Sequence, residues 1–271
     1  MVAAAKLRKA QNRMTSVRPF ANKMREVAAR LVSSNSSKHL ILRVPEETNR
    51  VAMIVVGSDR GLCGGFNNNL FKVVEITINE EYSQFAENGT LDLITIGKKA
   101  GAYFTKRKYN VVERHPGFFD DLQYDSASEI MQNAVEKFIN GDYDKVLIAF
   151  NEFKTVIAQN RKVEQVLPID PSTLLKEGES IDANADYIYE PDPDTILKKL
   201  LPVYLNMQLW KAVLDSNAAE QGARMAAMDN ATENAKELKE ELQLKYNQAR
   251  QSAITTEISE IVSGAQALKD T

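Results

Sequence analysis

Val203-Tyr-Leu-Asn-Met-Gln-Leu-Trp210 begins a run of sequence without proline that continues to Thr271. Apolar or small residues recur along this run at a mean step of roughly 3.5 residues, the period of a coiled coil, with polar Gln221 as the one interruption. They are Met207, Trp210, Leu214, Ala218, Met225, Met228, Ala231, Ala235, Leu238, Leu242, Tyr246, Ala249 and Ala253. A helix of about 60 residues would be on the order of 90 Å long. Its apolar stripe therefore needs a partner along most of its length.

A matching stripe lies at the other end of the chain, at Leu7, Ala10, Met14, Val17, Ala21, Met24, Ala28 and Leu31. Two matching helical ends around a compact centre predict an antiparallel coiled coil within one molecule, with the Met14–Met24 region close to the Met225–Leu242 region. The pattern also allows a homodimeric coiled coil. Pro19 lies inside the first stripe, so the helix either bends there or is held by tertiary packing.

The centre of the chain has the pattern of an α/β domain. Buried strands are predicted at 51–56, 91–96 and 145–150, a short strand at 111–112 and an extended edge segment at 163–169. Helices are predicted at 67–85, 98–108 and 126–139, the last capped by Asp125 or Ser126. Residues 33–37 are expected to be a connector and residues 170–194 an acidic, proline-bearing linker. This alternation indicates a mostly parallel sheet of Rossmann-like type, covered on both faces.

Three segments follow from these patterns: a coiled-coil helix at 1–36, a central α/β domain at 37–193 and a second coiled-coil helix at 194–271. The net charge of −3 argues against broad nucleic-acid binding. No apolar run reaches the length of a membrane span, and no secretory leader is expected. Cys63 is the single cysteine, which excludes an intramolecular disulfide, and two histidines leave no His/Cys metal cluster.

Ser58-Asp-Arg-Gly-Leu-Cys-Gly-Gly-Phe-Asn67 follows the first predicted strand, where nucleotide-binding folds place a phosphate loop. It has neither the glycine spacing of a dinucleotide site nor a Gly-Lys-Ser/Thr ending, so a tight structural turn is favoured. Cys63 could be a nucleophile, but no histidine lies nearby in sequence to act as its base. Glu190-Pro-Asp-Pro-Asp194 could hold a metal, although its prolines favour a stiff linker. Arg250–Glu257 is either a solvated helix face or a surface that contacts another protein.

Five motifs, spread over the whole chain and in one order, closely resemble the γ subunit of F-type ATP synthases. They are Met1-Val-Ala-Ala-Ala-Lys-Leu-Arg-Lys-Ala10, Ser58–Asn67 as quoted above, Tyr189-Glu-Pro-Asp-Pro193, Glu220-Gln-Gly-Ala-Arg-Met-Ala-Ala-Met228, and Leu242-Gln-Leu-Lys-Tyr-Asn-Gln-Ala-Arg-Gln-Ser-Ala-Ile-Thr-Thr-Glu257 with Ile261-Val-Ser-Gly264. Each motif alone is weak, but the joint match is specific.

The resemblance implies a rotor shaft without catalytic residues, cofactor or metal. The two end helices would turn inside a ring of three α and three β subunits, and the central domain would form a foot beside the ε subunit on the c ring. The δ subunit belongs to the same complex. Proton flow would turn the c ring, and the shaft would move each β subunit through its conformations. The resemblance also implies a peripheral position on the cytoplasmic face of a bacterial plasma membrane.

The family's functional positions match individual residues of this chain. Arg250, Gln251 and Thr255 match the residues that hydrogen-bond a β-subunit loop, the so-called catch. Arg224 matches an arginine that supports coupling, and Tyr187 and Glu190 match the segment that faces the c ring. The family normally has roughly twenty residues before its Met-Val-Ala-Ala-Ala-Lys motif, which Met1 opens here, so we expect the start of the N-terminal helix to be missing. Two alternatives stay open: a doubly wound nucleotide-binding enzyme using the Gly61–Gly65 loop, and a homodimeric coiled-coil scaffold.

Overall fold

A computed structural model describes residues 2–34, 40–169 and 190–269 of the chain. Its helices are α1 (Val2–Ser34), α2 (Phe66–Glu81), α3 (Ser83–Glu87), α4 (Lys98–Lys106), α5 (Tyr124–Asn140) and α6 (Pro193–Lys269), with a 3₁₀ turn at Leu40–Leu42. Its strands are β1 (Val51–Val56), β2 (Leu91–Ile96), β3 (Val111–His115), β4 (Lys145–Phe153) and β5 (Gln159–Leu167). The predicted linker falls mainly on residues 170–189, which lie outside the described residues.

The chain divides into two compact units, Met1–Ala226 and Ala227–Thr271. The first unit contains the sheet, helices α1 to α5 and the beginning of α6, and the second contains the rest of α6. The division into three segments at 36 and 193 describes helices and sheet rather than compact units, and it stays a prediction.

Within the described residues, the sheet has five strands in the order β3-β2-β1-β4-β5. Strands β3, β2, β1 and β4 run parallel, so that Ile54 of β1 lies opposite Ile94 of β2 and Ile148 of β4. Strand β5 is antiparallel to β4 and lies at one edge. The predicted mostly parallel sheet and its extended edge segment are therefore confirmed.

The continuous apolar runs of the central strands are explained by burial on both faces of the sheet. In β1, Ala52, Ile54 and Val56 pack in one cluster with α5 and the first part of α6. The alternate residues of β1 pack in a second cluster with α2 and α4, and these are Val51, Met53 and Val55. Because successive side chains of a strand point to opposite faces, a strand covered on both sides is buried at every position, which favours apolar residues on both faces.

Helices α1 and α6 form an antiparallel pair within the first unit. Near the start of α1, Leu7, Ala10 and Met14 share a cluster with Leu214 and Ala218 of α6. Ala28 and Leu31, near the end of α1, share a cluster with α6 residues from Leu197 to Val213. Residues near the start of α1 thus lie beside later residues of α6, and residues near the end of α1 lie beside earlier ones. The intramolecular antiparallel pairing is confirmed.

The register of the helix pair differs from the prediction. Met14 shares a cluster with Leu214, Ala218 and partly buried Met225, and Arg18, four residues later, pairs with Asp215. The partners of this part of α1 therefore lie mostly before the predicted 225–242 region. The heptad pattern of α6 runs through both regions with Gln221 as its one interruption, and periodicity alone therefore could not choose between them. Pro19 lies inside α1, yet the helix continues to Ser34 with Ala21 and Ala28 buried beyond it. Buried packing on both sides of Pro19 offsets its cost to the helix.

In the second unit the predicted apolar stripe is exposed. Leu238, Leu242 and Tyr246 are each more than half exposed, and Met228 is 42% exposed. Among the residues that the structure describes, this part of the stripe has no covering partner. None of the described helices is long and apolar enough to cross a membrane.

Several boundaries differ from the predicted ones by a few residues. Helix α5 begins at Tyr124, and its N-cap is Gln123, which makes no side-chain capping bond, rather than Asp125 or Ser126. Strand β4 runs on to Phe153 and β5 begins at Gln159, because these segments form a hairpin whose inner end is polar. Hydrogen bonding to a neighbouring strand, not hydrophobic pattern, decides such ends.

Candidate functional site

The glycine-rich loop Ser58–Gly65 lies at the carboxyl end of β1. Strand β1 is flanked by β2 on one side and β4 on the other, so the loop occupies the point where the strand order changes direction. Ligands of open α/β sheets bind in the crevice at this point. If this domain bound a nucleotide, its phosphates would be expected at this loop.

The carboxylate of Asp59 fills this position from within the chain. Its Oδ1 accepts hydrogen bonds from the backbone N–H groups of Lys98 at 2.9 Å and Gly117 at 2.7 Å, and its Oδ2 accepts one from Phe119 at 2.9 Å. Lys98 is the first residue of α4, where unpaired N–H groups would otherwise bind a phosphate. Asp59 is 8% exposed. The donors that a bound anion would use are thus occupied by a side chain of the protein itself.

A second set of bonds closes the loop around Cys63. The side-chain oxygen of Asn67 accepts from the Ser58 N–H at 3.0 Å, and its amide donates to the Ser58 hydroxyl at 2.7 Å. The same amide lies 3.5 Å from the Cys63 sulfur. Burial, and then the nearby Glu220 carboxylate, raise the pKa of the Cys63 thiol above its usual range. A buried thiol with a raised pKa is a poor nucleophile, which supports the structural interpretation of Cys63.

Arg224 joins the loop to α6. Its guanidinium donates to the carbonyl oxygen of Gly61 at 3.2 Å and pairs with Glu220, one turn earlier on α6, at 2.5 Å. The Glu220 side chain is 4% exposed, and burial raises the pKa of its carboxyl although Arg224 opposes the shift. The structure therefore brings the predicted coupling residue Arg224 together with the predicted glycine-rich loop.

The loop also carries a strained residue beside this joint. Leu62 has a φ of 60°, in the left-handed region that a non-glycine residue rarely adopts, and the residue is 82% exposed.

The three predicted catch residues lie on the α6 segment of the second unit. Arg250, Gln251 and Thr255 are all exposed. The Thr255 hydroxyl donates to the Gln251 backbone carbonyl at 2.9 Å, one turn back on the helix. Its proton is thus used inside the helix, so Thr255 presents an acceptor to any partner, whereas Arg250 presents only donors.

The two predicted foot residues are described unequally. Tyr187 lies outside the described residues, and Glu190, the first described residue after the gap, is exposed. The nearby Asp192 caps α6, since its carboxylate accepts the Thr195 N–H at 2.8 Å and the Thr195 hydroxyl at 2.7 Å. These bonds lower the pKa of the Asp192 carboxyl. Its role in capping favours the linker interpretation of this acidic segment over the metal loop.

Sequence reasoning missed the roles of Asp59, Glu220, Arg18 and Asp215. The partners of Asp59 come from segments about forty to sixty residues further along the chain, which no local pattern connects to it. Asp215 directly follows the stripe residue Leu214, and a charged residue beside the apolar stripe was the one available signal. It is fully buried and paired with Arg18 of α1 at 3.0 Å.

Comparison with known proteins gives one consistent result. The family model described as ATP synthase matches residues 1–268. The chain is 49% identical over 270 residues to the ATP synthase gamma chain of Chlorobaculum parvum, covering 99% of this chain and 91% of that protein. It is 46% identical over 272 residues to the ATP synthase gamma chain of Prosthecochloris aestuarii, again covering 91% of that protein.

Two solved chains with the same fold belong to mitochondrial ATP synthases. A chain from the central stalk and c-ring structure of the Tetrahymena thermophila enzyme aligns with a TM-score of 0.60 at 21% identity, covering 86% of this chain and 96% of that one. A chain from the Euglena gracilis enzyme aligns with a TM-score of 0.60 at 15% identity, covering 98% and 95% of the two chains. At these identities the alignments establish the shared fold.

Proposed function

The chain belongs to the family of ATP synthase γ chains, and from that premise we propose that it is the rotary central-stalk subunit of an F-type ATP synthase. It transmits torque between the membrane c ring and the catalytic β subunits. The observation that carries this proposal is the family match over residues 1–268, which covers α1, the sheet and nearly all of α6. The antiparallel pairing of α1 with α6 supports it, because a shaft made from both ends of one chain requires that pairing.

In this proposal the chain has no catalytic residue of its own. Asp59 occupies the backbone donors at the one position where the sheet would bind a nucleotide phosphate. Burial raises the pKa of the Cys63 thiol, which disfavours the reactive thiolate. Both observations favour a structural domain over the alternative of a nucleotide-binding enzyme.

The proposed partners are the α, β, ε and δ subunits and the c ring. The exposed face formed by Arg250, Gln251 and Thr255 is proposed to engage a β-subunit loop, and Arg224 to support coupling from inside the first unit. Tyr187 and Glu190 are proposed to face the c ring. The complex is proposed to lie on the cytoplasmic face of a bacterial plasma membrane, with this chain as a peripheral subunit. Pairing of the stripe within one molecule argues against the homodimeric scaffold.

Co-purification tests the proposal. The tagged chain, produced together with the α, β and ε subunits of its own organism, is expected to purify as a complex that hydrolyses ATP. A buried charge in the helix pair, Met14→Asp, should abolish assembly, whereas Thr15→Asp at the neighbouring exposed position should not. Recovery of the chain as a stable homodimer without α or β, or tight nucleotide binding by the chain alone, would favour one of the two alternatives.

A further inference from the structure

A clamp surrounds the segment Asp215–Arg224 of α6 and is made from three parts of the first unit. One part is Arg18 of α1. The second is the hairpin of β4 and β5, and the third is the Ser58–Gly65 loop. Arg224 lies two residues before Ala226, where the first unit ends.

The hairpin side of the clamp is close and polar. The Asn151 N–H donates to the Ser216 hydroxyl oxygen at 3.1 Å, and the Gln159 amide donates to the Ala219 carbonyl at 3.2 Å. Gly222 faces the turn of the hairpin, and a Cβ added there would lie 3.1 Å from the Val156 carbonyl oxygen. The helix can approach the hairpin this closely because position 222 carries no side chain.

Arg18 of α1 forms hydrogen bonds to both α6 and the end of β4, and so connects these three elements. Its guanidinium donates to the Asp215 carboxylate at 3.0 Å and to the Phe153 carbonyl, at the end of β4, at 3.2 Å. The Asp215 side chain is fully buried, while Arg18 is 39% exposed. Loss of the guanidinium would leave a buried carboxylate without its charge partner, and buried charges are tolerated only when they are paired.

We propose that Arg18, through its bonds to Asp215 and Phe153, is a positioning residue that fixes α6 against the sheet so that torque passes between the central domain and the helix pair. This proposal rests on the proposed function, since torque has meaning only for a rotor. During synthesis, force enters at the central domain and must cross the clamp to reach the helices. During hydrolysis without an opposing ion gradient, little force resists rotation of the central domain. A loosened clamp should therefore still transmit enough torque for hydrolysis.

The first test uses the full chain alone and measures amide hydrogen exchange. Arg18→Gln is expected to speed exchange of the backbone amides from Asp215 to Arg224 by about tenfold, because the clamp opens more often. Arg43→Gln is the matched control. It removes a partly buried arginine from the Asp144 carboxylate, which lies outside the clamp. It should leave exchange at 215–224 unchanged. Unchanged exchange in Arg18→Gln as well would overturn the clamp itself.

The second test uses the assembled complex in vesicles. For Arg18→Gln, ATP synthesis per assembled complex is expected to fall about threefold or more. The ATP hydrolysis rate with the gradient collapsed by an ionophore should stay close to that of the parent. Arg18→Lys, which keeps the charge but not the planar fork, should restore part of the synthesis rate. Arg43→Gln should leave the ratio of synthesis to hydrolysis at the parent value, even if it lowers the yield of complex.

Each outcome has a distinct meaning. If exchange rises but the assembled Arg18→Gln complex makes ATP at the parent rate, the clamp exists and its role in torque transfer is wrong. If the parent chain itself neither assembles with α and β nor couples, the proposed function fails and the positioning role fails with it. In that case the exchange experiment still decides whether Arg18 holds α6 to the sheet.

Discussion

The Asp59 carboxylate lies at the position of the sheet where a nucleotide phosphate would bind. Its carboxylate accepts three backbone N–H groups at the carboxyl edge of the sheet, at 2.7–2.9 Å. Hydrogen bonds to a charged group contribute roughly 1.5–3 kcal/mol each. We therefore expect Asp59→Ala to lower the free energy of unfolding by about 3 kcal/mol or more, measured by urea denaturation.

The control for Asp59 is Asp120, a second carboxylate of the same region. Asp120 pairs with Arg60 at 2.9 Å, but both side chains are more than half exposed. Exposed pairs contribute at most about 1 kcal/mol, so Asp120→Ala should change stability little. A loss in Asp59→Ala no larger than that in Asp120→Ala would contradict the role given to the three N–H bonds.

The raised pKa of Cys63 predicts slow modification of the native thiol. At any pH below the raised pKa, the native protein holds a smaller fraction of thiolate than an exposed cysteine does, and burial further limits access. Between pH 7 and 9 we expect iodoacetamide to alkylate the native chain at least about tenfold more slowly than the urea-unfolded chain. Cys63 is the only cysteine, so the unfolded chain is an internal control.

The function of Cys63 is tested by replacement. Cys63→Ser should leave most ATP hydrolysis intact in the assembled complex. Equal alkylation rates for native and unfolded protein would contradict the protected state of the thiol. Complete loss of hydrolysis in a normally assembled Cys63→Ser complex would show that the thiol has an active role.

At the scale of elements, Gly222 tests how closely α6 approaches the β4–β5 hairpin. Alanine at an exposed helix position is about 1 kcal/mol more favourable than glycine. At position 222 the new Cβ would lie 3.1 Å from the Val156 carbonyl oxygen, so the hairpin or the helix must shift. We expect Gly222→Ala to lower the midpoint of thermal unfolding despite its better helix propensity.

Gly264 is the matched position on the same helix. A Cβ added there meets no atom within 4 Å among the described residues. Gly264→Ala should therefore keep or raise helix content by circular dichroism. If both variants raised stability equally, the close approach at Gly222 would not limit the size of the side chain at that position.

Much of the element order could be predicted from the sequence, because the central strands are buried on both faces. Val51–Val56 is apolar throughout, Leu91–Ile96 is apolar except at Asp92 and Thr95, and both strands have the predicted bounds. The inner end of β5 was missed because Gln159-Asn-Arg161 is polar and held by its bonds to β4. The register of α1 on α6 was also mispredicted, since it depends on particular contacts such as that of Arg18 with Asp215.

The candidate site was less predictable than the fold. The sequence located the glycine-rich loop and, through family resemblance, Arg224, but the bond between Arg224 and the Gly61 carbonyl joins positions 163 residues apart. Asp59 carries no local signature of its role, because its three donors come from other loops. Short motifs therefore indicated the position of the candidate site, and only the folded chain showed that the Asp59 carboxylate occupies its backbone donors.

At the scale of the whole molecule, the exposed face of Arg250 and Gln251 predicts a kinetic effect without a structural one. Arg250→Ala with Gln251→Ala should lower the ATPase rate of the assembled complex by about tenfold, because each loses a directional bond to the proposed β-subunit loop. Helix content and assembly should stay normal, since both side chains are exposed. Steady-state ATPase assays on purified complexes measure the effect.

The matched control is Lys239→Ala with Gln243→Ala, which also removes one cation and one amide from the exposed helix segment. It should retain most of the rate. Thr255→Val should have a smaller effect than Arg250→Ala, because the Thr255 hydroxyl already donates within the helix. An unchanged rate in the Arg250 and Gln251 double variant would remove these residues from the proposed catch.

The antiparallel pairing of α1 with α6 also limits when the chain can finish folding during its synthesis on the ribosome. Arg18 cannot form its ion pair until Asp215, 197 residues further along the chain, has been synthesised. At about 5–20 residues per second, that partner is synthesised roughly 10–40 seconds later. Until then the apolar stripe of α1 is open to water and to protease, while the sheet already has all its strands. We expect stalled nascent chains that end before α6 to be cut within α1, and chains that expose α6 through Ala226 to be protected there.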